Sequence, residues 1–128
     1  MPRVPVNLEG LAPPPAPLSS GIVADNILYV SGILPFDKNW KTVGAGDIRI
    51  QTRQVIENIK EVVETAGGTL DDVVFNSIFL RDLDDYRAMN EVYAEYFPVN
   101  PPARYCIQAS LAPPDCLLEI CSTAHLPR

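Results

Sequence analysis

Two segments decide what this chain can fold into: "ILYVSGIL", Ile27 to Leu34, and "VVFNSIFL", Val73 to Leu80. Each is apolar for most of its length. A strand that lacks apolar–polar alternation is buried on both faces. Only two stretches of the chain carry helical periodicity, and two helices can cover one face of such a sheet. The second face needs another cover. With no third helix to supply it, a partner subunit is the natural candidate.

The first helix lies in "GDIRIQTRQVIENIKEVVETAGG", where Val55, Ile56, Ile59, Val62, Val63 and Ala66 recur at helical spacing. Asp47 can cap its start and Gly67–Gly68 stop it. The second lies in "DLDDYRAMNEVYAEYFP", with Tyr86, Met89, Tyr93, Tyr96 and Phe97 on one stripe and Pro98 at its end. That spacing assigns the aromatics to the core rather than to a base-stacking platform. Asp82, Asp84 and Asp85 read as charges at a helix start, not as a metal cluster.

Ala103 to Ala109 and Leu117 to Leu126 read as further strands, with "LAPPDC" turning between them. Ser19 to Ala24 adds a short strand paired with Ile27 to Leu34 through a turn at Asp25–Asn26. Gly32 inside a strand marks a bulge or a close backbone approach. The order is β-β-α-β-α-β-β, a mixed sheet of the α+β class in a single domain over residues 1–128. Pro13, Pro14, Pro15 and Pro17 exclude helix from the arm of residues 1–18. Prolines alone favour a loose tail there over an ordered lip beside a site.

The balance of charge narrows the function classes. A formal net charge of −6 argues against a nucleic-acid surface. No apolar run approaches a membrane span, and Met1–Pro2–Arg3 is not followed by the apolar region of a secretion signal. The expectation is a cytoplasmic protein. Cys106, Cys116 and Cys121 form no CxxC pair, and His125 is the only histidine, so the expectation is reduced thiols and no metal.

Chemistry concentrates in the last two strands. Arg104 and Cys106 alternate with Tyr105 and Ile107 and so share a face. Glu119 lies between Leu118 and Ile120, where a carboxylate is either paired or raised in pKa. If these strands form a hairpin, Arg104 and Glu119 lie near one pocket. Strand pattern alone favours a buried Arg104–Glu119 ion pair over a carboxylate clamp with a separate acid/base group. Small buried thiols are common, and no histidine neighbours Cys106 in sequence, so Cys106 reads as pocket lining rather than nucleophile.

"FPVNPPARYCIQASLAPPDCLLEI", preceded in order by "ILYVSGILPFD", "QTRQVIENIKEVVETAGG" and "DYRAMNEVYAEYFP", resembles the reactive intermediate deaminases, the RidA or YjgF-type family. The resemblance runs from about Pro17 to Leu126 and reverses the preference for an ion pair. It implies a chorismate-mutase-like fold, a homotrimer whose sheets pack into a central barrel, and pockets between adjacent subunits. It implies hydrolysis of a small carboxylate-bearing enamine or imine to the oxo acid and ammonia, without metal or organic cofactor. By the same resemblance Arg104 binds the substrate carboxylate and Glu119 positions the attacking water. Cys106, Ser31, Gly32 and Asn90 line the pocket.

The chain departs from deaminases of 2-aminoacrylate at Leu18, where those proteins carry a tyrosine. "QTRQVIENIKEVVETAGGTLDDVVFNSIFLRD" and "PARYCIQASLAPPDCLLEICSTAHL" look most like the pyrimidine-utilisation, RutC-type branch, which acts on 3-aminoacrylate. A ribonuclease or translation inhibitor, and a ligand-binding or chaperone-like trimer without chemistry, stay open as other classes.

Overall fold

In the computed structural model, which describes residues 2–128, the strands are β1 Val4–Pro5, β2 Gly21–Ala24, β3 Ile27–Ile33, β4 Val73–Leu80, β5 Ala103–Gln108 and β6 Leu118–His125. The helices are α1 Ile48–Thr65 and α2 Tyr86–Tyr96. Short 3₁₀ turns at Leu70–Asp72 and Leu83–Asp85 lead into β4 and α2. One six-stranded sheet runs in the order β1-β2-β3-β6-β4-β5, and all its pairs are antiparallel except β4 with β5. The mixed α+β sheet expected from the sequence is present.

Local chemistry sets the elements where the sequence placed them. The Asp47 carboxylate accepts hydrogen bonds from the backbone of Arg49 (3.0 Å) and Ile50 (3.1 Å), satisfying donors that a helix start leaves free. Gly67, at φ 98°, ends α1 in a left-handed conformation that suits glycine. Asp25 and Asn26, at φ 51° and 65°, make the two-residue turn that joins β2 to β3. Val55, Ile56, Ile59, Val62 and Val63 form the buried face of α1 and pack with Leu28, Val30, Ile78, Leu118 and Ile120 of the sheet. Truncating a residue such as Ile56 to alanine would cost about 2–5 kcal/mol.

Two expectations are corrected. β5 and β6 are not a hairpin, because β4 lies between them. The proline-rich segment between β5 and β6 instead wraps the end of β4 around one side chain. The Arg81 guanidinium donates to the carbonyls of Leu111 (3.1 Å), Pro113 (2.7 Å) and Cys116 (2.8 Å). Buried Gln51 of α1 holds the same segment through Asp115 O and Leu117 N.

The arm, in turn, is no loose tail. Its β1 pairs with β2. Farther along, Ala12 N–H donates to Lys38 O (2.9 Å) and Trp40 Nε1 donates to Ala12 O (2.8 Å). Prolines lack N–H donors, but the carbonyls and few amides of such a segment still find partners.

Both helices lie on one face of the sheet. On the other face Tyr29, Phe75, Tyr105 and Ile107 are 50%, 36%, 46% and 48% exposed. Tyr105 packs edge-on against Phe75 and Phe79, with ring centroids 5.7 Å and 6.3 Å away. A single chain therefore presents the uncovered apolar sheet face that its strand pattern implies.

Candidate active site

β5 carries Arg104 on the helix-covered face, level with Asn76 of β4. Its Nη2 donates to Asn90 Oδ1 (2.7 Å) and Tyr86 Oη (3.1 Å) on α2. The guanidinium carbon stands 4.8 Å from the ring centroid of Tyr93 and 5.7 Å from that of Tyr86. Neutral acceptors and ring faces hold the cation without neutralising it. Among the described residues the salt bridges are made by Lys38, Arg49, Arg53 and Arg87, and none by Arg104. The buried Arg104–Glu119 ion pair that strand pattern alone favours is absent from these contacts.

Cys106 follows on the same face, half-buried. Burial pushes its thiol pKa up, and the nearby Arg104 charge only opposes that rise. A thiol favoured in its neutral form is not an activated nucleophile.

Glu119 lies on the opposite face. Leu118, Ile120, Ser122 and Ala124 of β6 are buried toward the helices, and Glu119 alternates with them. Burial raises the pKa of its carboxyl, and among the described residues it makes no salt bridge. The room for that carboxyl is made by Gly32. Between Val30 and Ile33 the register of β3 against β6 slips, which is the bulge the glycine announced. A methyl group at Gly32 would overlap Glu119 Oε2 and lie 3.0 Å from its Cδ. The bulge and the close approach are thus one feature.

Ser31 anchors the arm. Its hydroxyl donates to Ser19 O (2.9 Å) and its N–H to Ser20 O (3.0 Å). Leu18, 43% exposed, precedes the residues so held. The expected site residues therefore form two groups. Arg104, Cys106 and Asn90 share the helix side of the sheet, while Glu119 and Gly32, with the arm tied by Ser31, stand apart from them.

Tyr86 and Tyr93 belong to the Arg104 group, which the sequence reading missed. Helical spacing put both in the core, yet Tyr86 is 44% exposed and Tyr93 is buried beneath the arginine. The available signal was an arginine in an apolar strand and tyrosines on a helix flanked by that strand.

A family model described as endoribonuclease L-PSP matches residues 10–126. The chain is 56% identical over 126 residues to the 3-aminoacrylate deaminase RutC of Acinetobacter baylyi, covering 98% of this chain and all of that one. Among solved structures it resembles RidA of an Antarctic Psychrobacter (TM-score 0.86, 31% identity, 94% and 98% of the two chains). It also resembles E. coli TdcF with bound serine (TM-score 0.87, 26% identity, 97% and 99% of the two chains).

Proposed function

The chain belongs to the endoribonuclease L-PSP family, and from that membership we propose that it is an enamine deaminase acting on 3-aminoacrylate. The observation that carries the reading is Arg104, a cation cradled by Asn90, Tyr86 and Tyr93 with no carboxylate among its described partners. Such a guanidinium is built to receive an anion from outside the chain. The relative at 56% identity is a 3-aminoacrylate deaminase, and the TdcF structure holds serine, a small molecule with a carboxylate.

Hydrolysis of 3-aminoacrylate needs a proton on the carbon next to the carboxylate, which converts the enamine to an iminium. Water then adds to the nitrogen-bearing carbon, giving a carbinolamine. Its collapse expels ammonia and leaves the aldehyde acid. Arg104 grips the carboxylate throughout. Glu119, whose carboxyl pKa is raised by burial, delivers and retrieves protons and orients the water.

Arg104 and Glu119 of one chain lie on opposite faces of the sheet, so one chain does not close this site. A homotrimer with its sites between subunits answers this, and it covers Tyr29, Phe75, Tyr105 and Ile107 as well. Leu18, Ser31, Gly32 and Cys106 shape the pocket walls. The substrate is small, and among the described residues no helix is long and apolar enough to cross a membrane.

The test is ammonia release from freshly generated 3-aminoacrylate and 2-aminoacrylate, set against spontaneous hydrolysis. Acceleration of neither overturns the proposal. Cleavage of RNA that Arg104→Lys abolishes would favour the activity in the family's description instead.

A further inference from the structure

Behind Arg104 a polar row crosses the largely apolar, helix-covered face of the sheet. Ser122 of β6, Asn76 of β4 and Arg104 of β5 are cross-strand neighbours on one face. The flanking row on that face is Ile120, Ile78 and Cys106, and the next is Leu118, Leu80 and Gln108. Asn76 and Ser122 are only 1% and 3% exposed. Ser122 Oγ donates to Asn76 Oδ1, and Asn76 Nδ2 donates to Tyr93 Oη at 2.9 Å.

A buried amide and hydroxyl bring no advantage over well-packed apolar side chains unless they specify something. This row specifies Tyr93. The ring packs against Phe97, at a centroid distance of 4.7 Å, and against the Arg104 guanidinium, at 4.8 Å. Fixing Oη fixes how the ring sits against both and hence the surface on which the guanidinium lies.

Resting on the carboxylate-clamp reading of Arg104, we infer that Asn76, Ser122 and the Tyr93 hydroxyl are positioning residues that hold the guanidinium in its substrate-binding orientation. They touch no substrate and act through Arg104. The proton-transfer chemistry at Glu119, on the other face, does not pass through them. Their loss weakens carboxylate binding and leaves turnover at saturation nearly intact.

The experiment measures kcat and KM for 3-aminoacrylate and the inhibition constant of propionate, an inert small carboxylate, in Tyr93→Phe, Asn76→Leu and Ser122→Ala. Each is made alone and in an Arg104→Lys background. Tyr93→Phe keeps the ring and removes only the hydroxyl, and Ser122→Ala is mild enough to fold if Asn76→Leu does not. The expected result is a rise of about tenfold in KM and in the propionate constant for Tyr93→Phe and Asn76→Leu, smaller for Ser122→Ala, with kcat within about twofold. In the Arg104→Lys background those increments disappear, because the orientation they maintained is already lost. Increments that simply multiply with Arg104→Lys, or a loss of kcat with unchanged propionate binding, overturn the inference and leave the clamp standing. Unchanged propionate binding in Arg104→Lys alone overturns the clamp, and the inference with it.

Discussion

Arg104 and Glu119 are carried on opposite faces of one sheet. Asn76 of β4 is level with Arg104 and with Ser122, whereas Glu119 is level with Phe79, an odd number of positions along the same strand. Side chains alternate across a strand, so the cation and the carboxyl point away from each other. Neither neutralises the other. The cation stays free to bind an anion, and the carboxyl keeps its raised pKa.

Arg104→Lys keeps the charge and loses the planar fork and the stacking on Tyr93. Its expected cost is at least about tenfold in kcat/KM on acidic enamines, the scale of a lost charge-assisted hydrogen bond. Steady-state kinetics on 3-aminoacrylate checks this, with circular dichroism to confirm an intact fold. Full activity in the variant removes Arg104 from the site.

Glu119→Gln preserves shape and removes the titrating group. A drop in kcat of about 10²–10⁴-fold is expected, with propionate binding retained. The variant also has a stability signature. Burial raises the Glu119 pKa in the folded chain, so the folded state holds this proton more tightly than the unfolded one. The associated stability is fully present below the unfolded pKa and is lost as pH rises through the folded pKa. Thermal melts should show Glu119→Gln more stable than the parent at neutral pH, with the gap closing as pH falls through the carboxylate range. A gap that widens on acidification contradicts the assignment.

Gly32→Ala places a methyl group where Glu119 Oε2 lies. The carboxyl must swing aside or the bulge must shift. We expect kcat to fall by about tenfold or more while the fold persists, since misplacing a reacting group by about an ångström can cost that much. Glu119→Asp in the Gly32→Ala background shortens the side chain and tests whether the clash is the cause. Unchanged kcat in Gly32→Ala would show that the close approach does not matter.

The residues that set this arrangement were unequally visible in the sequence. Asp47, Gly67 and the Asp25–Asn26 turn act over a few neighbouring positions, so their effect can be read locally. Gly32 announced a bulge for the same reason. The place of β4 between β5 and β6 could not be read this way. It rests on backbone ladders to strands distant in sequence, and the segment joining them meets Arg81 through carbonyls 30 or more residues away. Tyr86 and Tyr93 look alike in helical periodicity, and only the register of β5 against β4 decides that both meet Arg104. The order of the arm was hidden because it rests on partners distant in sequence: β2, Ser31, Lys38 O and the Trp40 indole.

Tyr105→Glu tests the cover of the second sheet face. Tyr105 is 46% exposed in one chain and stands among Phe75, Phe79 and Ile107. A carboxylate buried there without a partner costs several kcal/mol. Light scattering should find the parent as a trimer and the variant dissociated at micromolar concentration. A parent that is monomeric at that concentration contradicts the shared site.

Subunit mixing tests the central claim most directly. Arg104→Lys and Glu119→Gln proteins, each first assayed alone for its residual activity, are combined in equal amounts, exchanged through mild denaturant and assayed on 3-aminoacrylate. If each site takes its arginine from one subunit and its glutamate from the next, every mixed trimer contains one fully native site. Random assembly makes three quarters of the trimers mixed, so activity should recover to about one quarter of the parent's. No recovery, with exchange verified by differently tagged subunits, would show that the two residues do not meet across an interface.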